Sequence, residues 1–329
     1  MVSIFRALGK HYREHMRILS LETATYFGGV AYVSDNDREA VGPFAPRESS
    51  REVLAAAHAL LERHGCAKDG PDLVAVSTGP GLFTRVRVGL SIAKTLVWAQ
   101  GHAGSTALVG VPTLEAVAAL AANGRVYSAQ PGDLVIAVTD ARRGEVYAAL
   151  FQVLEPRNPA GSGMSVSPMN HGRDTRATFT YSGALSSASQ THRLSEARQV
   201  APSLKPLSDD IVVRPDRLAA TLFRAGAQAE DPAALSESPG PHAENPVSDT
   251  PVWLVGDGVD RYGEILLEQF NGRARVFARG RENLALQVAD LGRARFEEGL
   301  AQSPDDVRPH YVRRPDARLP VAHFLADKT

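Results

Sequence analysis

The sequence predicts an α/β fold built from two copies of one pattern, and three observations carry that prediction. Residues 17–122 read as three strands followed by helices alternating with strands. The same order begins again near Leu134. The run Gly79-Pro80-Gly81 joins a buried apolar strand to an apolar helix through a turn that glycine and proline make easy. A strand meander followed by alternating elements, used twice, is the mark of a duplicated α/β architecture.

In the first half, Arg17 to Leu21, Gly28 to Val33 and Ala40 to Phe44 are the opening strands. Their short links suit antiparallel neighbours. Ser49-Ser50-Arg51-Glu52 offers a capping box, and Val53, Leu54, Ala57, Leu60 and Leu61 then line one helical face until Gly65. Leu73 to Val76 is a short core strand ending in Ser77-Thr78. After the glycine turn Thr84 is the expected N-cap, and Arg85 to Ala99 form a helix with little polar surface. A strand at Ala107 to Val111 and a helix at Thr113 to Ala122 close this half, before a junction at Asn123 to Gly132.

The second half repeats the order. Leu134 to Thr139 and Glu145 to Val153 flank the turn Ala141-Arg142-Arg143-Gly144, and Ala177 to Tyr181 supply a third strand. Helices at Pro215 to Arg224, Asp260 to Phe270 and Asn283 to Glu298 alternate with strands at Val252 to Val255 and Ala274 to Phe277. Residues 155–176 and 228–250 are rich in Pro, Gly, Ser and charge, and read as surface insertions. The expected division is an N-terminal extension (1–16), a first domain (17–123), a second domain carrying both insertions (124–300) and a C-terminal tail (301–329).

Composition narrows the function. The chain has 329 residues, 43% hydrophobic, enough for about two domains with real cores. A formal net charge of −1 gives no broad electropositive surface for gripping nucleic acid unaided. Cys66 is the only cysteine, so no internal disulfide exists, as suits a reducing cytoplasm. No apolar run approaches a membrane span.

Candidate motifs carry plain alternatives. His11-Tyr12-Arg13-Glu14-His15 fits a zinc-peptidase pattern, but the segment is polar and terminal with no third ligand in view, so no metal site is expected. Gly79-Pro80-Gly81 is either a phosphate cradle or a tight packing turn. Glu22-Thr23, Asp140 to Glu145 and Gly256-Asp257-Gly258 fall at equivalent strand ends of the two halves. A ligand in the cleft between the halves would touch all three. The helix Arg85 to Ala99 is apolar on more than one face, so either its own domain or a partner must cover it. Gly89 would admit a second helix closely.

These residues resemble a family. Gly79-Pro80-Gly81-Leu82-Phe83-Thr84-Arg85-Val86-Arg87-Val88-Gly89, continuing to Lys94, is similar to the G-P-G-S-F-T-G-L-R-V-G signature of the TsaB (YeaZ) family of threonylcarbamoyladenosine biosynthesis proteins. Ile18 to Ala24, Gly110 to Ala116, Asp140 to Tyr147 and Pro309 to Arg313 resemble further family segments in the same order. The resemblance implies the duplicated RNase H-like fold of the actin, Hsp70 and sugar-kinase superfamily. It implies a non-catalytic subunit that pairs with the transferase TsaD, is joined by the ATPase TsaE, and reaches tRNA through the complex. No cofactor is required by this chain on that reading, though its cleft is a place for weak nucleotide binding.

The helices Arg51 to His64 and Arg85 to Ala99 would form the pairing surface, with Leu54, Leu61, Leu90, Ala93 and Leu96 as its expected residues. Without TsaD the same surface would form a homodimer. Glu22, Thr23, Gly79, Pro80, Gly81, Thr84, Arg87, Asp140, Arg142, Gly144, Glu145, Gly256, Asp257 and Gly258 would mark a vestigial nucleotide cleft. Three residues depart from the family pattern: Glu22 for Asp, Leu82 for Ser and Arg85 for Gly. The rival reading is an active small-molecule kinase or ATPase using Glu22 or Asp140 with magnesium.

Overall fold

A computed structural model of the chain describes residues 16–44, 50–99, 106–122, 129–155, 191–194, 203–223, 250–270, 272–277 and 283–313. The first half contributes β1 (Ile18–Glu22), β2 (Gly28–Val33), β3 (Arg38–Phe44), α1 (Ser50–Arg63), β4 (Leu73–Ser77), α2 (Phe83–Ala99), β5 (Ala107–Val111) and α3 (Thr113–Ala122). The second contributes β6 (Leu134–Arg142), β7 (Glu145–Val153), β9 (Leu204–Pro206), β10 (Ile211–Val213), β11 (Val252–Val255), α4 (Asp257–Glu268), β12 (Ala274–Phe277) and α5 (Ala285–Glu297). β8 (Thr191–Leu194) lies between β7 and β9 in the chain.

Two sheets result. The first runs β5-β4-β1-β2-β3-β8, and the second β10-β7-β6-β11-β12, with β9 also on β7. Each opens with an antiparallel meander and adds two parallel strands on the other side of its first strand. Both halves therefore share one strand order, and the duplication legible in the sequence is a duplication of topology. The third strand of the second half is β10, paired with Val146 to Ala148, while β9 pairs further along the same edge. The expected strand at Ala177 to Tyr181 lies outside the described residues, as do the H-x-x-E-H motif, Ser49 and most of both insertions. β8 was not expected at all; it extends the first sheet beside β3.

Each half lends its last helix to the other. α1 and α2 cover one face of the first sheet through Val53, Ala57, Leu60, Val86, Leu90 and Ala93. On its other face lie Val288, Ala289 and Leu291 of α5, from the second half. Conversely α3 delivers Leu114, Val117 and Ala121 against Val135, Ala137 and Val255 of the second sheet. Being sandwiched, α3 is buried nearly all round, which its run of small residues permits. Residues 17–123 and 124–300 are thus not self-contained packing units.

Polar contacts fasten the exchange. Arg38 on β3 donates both Nη groups to the carboxylate of Asp290 on α5 at 2.8 Å each. Both side chains are only 4% exposed. Arg293 reaches Asp35 at 3.0 Å, and the Ser20 hydroxyl donates to the Ala285 carbonyl at 2.6 Å.

Residues 301–313 form a strap rather than a loose tail. Gln302 bridges to Leu108, Val307 is fully buried in the first half, and the His310 N–H donates to the Thr78 carbonyl at 2.7 Å. Arg313 then donates to the Ala141 carbonyl at 3.0 Å, so the strap crosses from one half to the other.

Candidate functional site: the cleft between the halves

β1 and β6 end side by side at a cleft lined by Tyr26, Gly81, Leu82 from one half and Thr139, Asp140, Asp257 from the other, with Arg142 at its edge. Its floor is made by two equivalent turns. Gly79 follows β4 with φ 107°, and Gly256 follows β11 with φ 118°. Both conformations favour glycine, and both positions are also crowded. A Cβ on Gly79 would stand 2.6 Å from the His310 carbonyl oxygen, and one on Gly256 2.3 Å from that of Val138. The free volume inside the cleft is about 10 Å³, room for about one water molecule. Thr139, whose buried hydroxyl has no hydrogen-bond partner among the described residues, faces that space.

The glycine turn spends its donors on the chain itself. Gly79 N–H donates to the Thr113 hydroxyl at 3.0 Å, and Leu82 N–H to the Ala24 carbonyl at 2.8 Å. Arg85 donates Nε to the Thr23 carbonyl and Nη1 to that of Tyr26, both at 3.1 Å. It therefore pins the β1–β2 turn to α2. Thr23 answers by donating its hydroxyl to the Arg85 carbonyl at 2.8 Å. A phosphate cradle needs free N–H groups; these two are taken, which favours the packing-turn reading of Gly79-Pro80-Gly81.

Acidic groups converge here under constraint. Glu22 is wholly buried and accepts from the Thr25 N–H and hydroxyl at 2.9 Å each. Burial pushes its carboxyl above the usual carboxylate range, against the pull of those bonds and of Arg85. Across the cleft, Asp140 accepts from Arg261 at 2.8 Å and from the Arg142 N–H at 2.8 Å, and its own N–H donates to Asp257 at 3.1 Å. Burial first, and then the carboxylates of Asp140, Glu22 and Asp260, push Asp257 up to about 6, against the Asp140 N–H.

A carboxyl that keeps its proton longer when folded stabilises the fold fully below its unfolded pKa, near 3.9, and that contribution is lost as pH rises to about 6. Asp257→Asn keeps an acceptor for the Asp140 N–H without the charge. It is expected to raise stability by about 3 kcal/mol at pH 8 and to change it little at pH 4. Urea denaturation at the two pH values checks this.

Of the residues expected at a cleft, Glu22, Thr23, Gly79, Pro80, Gly81, Asp140, Arg142, Gly256, Asp257 and Gly258 do gather at or beside it. Thr84 does not cap α2, which already begins at Phe83; it sits exposed in the first turn. Arg87 points elsewhere: its guanidinium lies 3.9 Å from the Phe83 ring centroid and donates to the Tyr311 hydroxyl at 2.8 Å. Gly144 and Glu145 belong to the β6–β7 hairpin, where Arg142 and Arg143 also take positive φ, 63° and 59°. Glu145 there pairs with Arg313. Tyr26, Thr139 and Arg261 were missed, since nothing local in the sequence marks them.

The helix pair needs a larger correction. Leu61, Leu90 and Ala93 were expected on a partner surface, yet they are 6%, 4% and 0% exposed and pack on the chain's own first sheet. Leu96 is half-buried against the same core. Gly89 admits no second helix, because the Thr23 side chain fills the space beside it. Of the five, only Leu54 stands well out, at 47% exposed, and Trp98 at the end of α2 is 77% exposed.

Comparison with known proteins accords with this anatomy. The family model described as TsaD, tRNA N6-adenosine threonylcarbamoyltransferase, matches residues 34–168. The tRNA threonylcarbamoyladenosine biosynthesis proteins TsaB of Bacillus subtilis and Escherichia coli are 31% and 34% identical over 138 and 137 residues, 42% of this chain in each case. The chain is similar to the TsaB/YeaZ proteins over that stretch. It spans about half the length of these curated relatives, 56% and 55%. A solved structure titled YeaZ from Pseudomonas aeruginosa superposes with a TM-score of 0.56 at 18% identity, over 90% of this chain and 99% of that one. The fold is accordingly the duplicated RNase H-like, actin-like α/β architecture.

Proposed function

We propose that this chain serves tRNA threonylcarbamoyladenosine biosynthesis as a non-catalytic subunit that pairs with a TsaD transferase and works with the ATPase TsaE in the cytoplasm. The observation that carries the reading is the 31% and 34% identity to two curated TsaB proteins over 42% of this chain. The cleft adds support. Its turn N–H groups and Arg85 donate to Thr113 and to backbone carbonyls, its carboxylates accept from Thr25, Arg142 and Arg261, and about 10 Å³ is too little for a nucleotide. Pairing would use the exposed remainder of α1 and α2, around Leu54 and Trp98, in place of the buried leucines. The same patch would serve a homodimer when TsaD is absent.

Reconstitution tests this. The chain is mixed with TsaD and TsaE of the same organism, unmodified tRNA, threonylcarbamoyl-adenylate and ATP, and the modified nucleoside is measured by mass spectrometry. Product is expected only when both TsaD and this chain are present, and Trp98→Asp should lower it at least tenfold. Full activity without this chain would overturn the reading. ATP turnover by the isolated chain, lost in Asp140→Ala, would favour the kinase or ATPase instead.

A further inference from the structure

From the edge of the cleft along the strap to the start of α2 runs a feature that the pairing role does not use. Four arginines each place a guanidinium over an aromatic ring. Arg87 lies over Phe83 at 3.9 Å and reaches Tyr311 at 5.8 Å, and Arg142 lies over Tyr26 at 4.7 Å. Arg261 lies over Tyr262 at 5.4 Å, and Arg313 over Tyr147 at 5.9 Å. All fall within the range where the ring face attracts a cation.

These arginines form one connected row. Arg87 bonds Tyr311, two residues along the strap from Arg313. Arg313 bonds the carbonyl of Ala141, next to Arg142. Arg142 and Arg261 share the Asp140 carboxylate, at 3.5 and 2.8 Å. The row draws on four elements of the chain: the start of α2, the strap, the β6–β7 hairpin and α4. Its charge is unbalanced. Four guanidinium groups meet three carboxylates, Asp140, Glu145 and the neighbouring Asp257, and exposed Arg143 and Asp260 beside them cancel, which leaves a small positive excess. Phe83 and Tyr311 remain partly exposed in this otherwise polar setting.

We infer that this row is a contact surface for single-stranded RNA, meeting the unpaired loop of the tRNA substrate; the choice of RNA rests on the function proposed above. Flat guanidinium groups backed by rings offer what an unpaired loop presents: phosphates to neutralise and base faces to stack. A duplex supplies the phosphates without the free bases, and an acidic peptide supplies charge without rings. The overall charge of −1 makes the affinity modest, so this surface would orient a loop held also by the partner enzyme.

The test is fluorescence anisotropy with the full chain and a labelled tRNA anticodon stem–loop. An RNA duplex of equal length and poly-glutamate serve as comparison probes. Binding is expected to favour the stem–loop. The double variant Arg87→Ala/Arg261→Ala, at two exposed positions, should weaken it about tenfold and lower the salt slope by about 1.4, near 0.7 per lost phosphate contact. Arg87→Lys should keep the salt slope but lose affinity, because it keeps the charge without the plane. Unchanged thermal melting confirms that the variants are folded. Absent binding at low salt, equal binding by the double variant, equal affinity for the duplex, or equal competition by poly-glutamate would each overturn the inference. The binding assay contains no TsaD, so it separates the two claims. RNA binding that disappears in the double variant upholds the surface even if reconstitution shows no role for the chain in modification.

Discussion

Leu90→Asp is expected to unfold the first half instead of merely breaking a partner contact. Leu90 is 4% exposed and packs in the cluster that α1 and α2 share with β1, β2 and β4. Truncating such a leucine costs about 2–5 kcal/mol, and placing a carboxylate there adds a desolvation penalty of similar size. Set against a typical total of about 5–15 kcal/mol, the loss leaves little or no folded protein. Circular dichroism should show loss of the cooperative melt, and the protein should go to the insoluble fraction. Trp98→Asp provides the contrast. At 77% exposed it removes little packing, and its melting temperature should move by no more than a few degrees. If both variants melt like the parent, the assignment of Leu90 to the chain's own core is wrong.

That contrast shows where the sequence was readable and where it was not. The central strands were plain because β1 and β4 are buried at every position and are mostly apolar, interrupted only by Ser20 and closed by Glu22 and Ser77. β9 and β10 escaped notice, being three residues each and only partly buried. The apolar spread around α2 correctly signalled that more than one side is covered. Periodicity does not say by what: Val86, Leu90 and Ala93 face the sheet, and Thr23 fills the side at Gly89. Arg85 showed in the sequence only as a departure from the family's Gly, because its partners, the Thr23 and Tyr26 carbonyls, lie about sixty residues away. The closing segment Pro309 to Arg313 was visible as a motif, yet only the fold reveals that Tyr311 and Arg313 strap the two halves together.

Arg38 and Asp290 give the most exacting test of the helix exchange, since 252 residues separate them and no local pattern joins them. Arg38→Ala strips the buried Asp290 carboxylate of its guanidinium and is expected to cost about 3–5 kcal/mol in urea denaturation. The double variant Arg38→Met/Asp290→Leu should recover most of that loss. A buried ion pair gains little over well-packed apolar groups once both charges leave water, and here the Arg38 Nε is itself buried without an acceptor among the described residues. The large coupling energy follows from direct contact at 2.8 Å. Hydrogen exchange locates the effect: in Arg38→Ala, amides of α5 and of β3 should lose protection together, although they belong to opposite halves of the sequence. Loss confined to β3 would mean that α5 is held to the first sheet by its apolar face alone, with the ion pair fixing only its register.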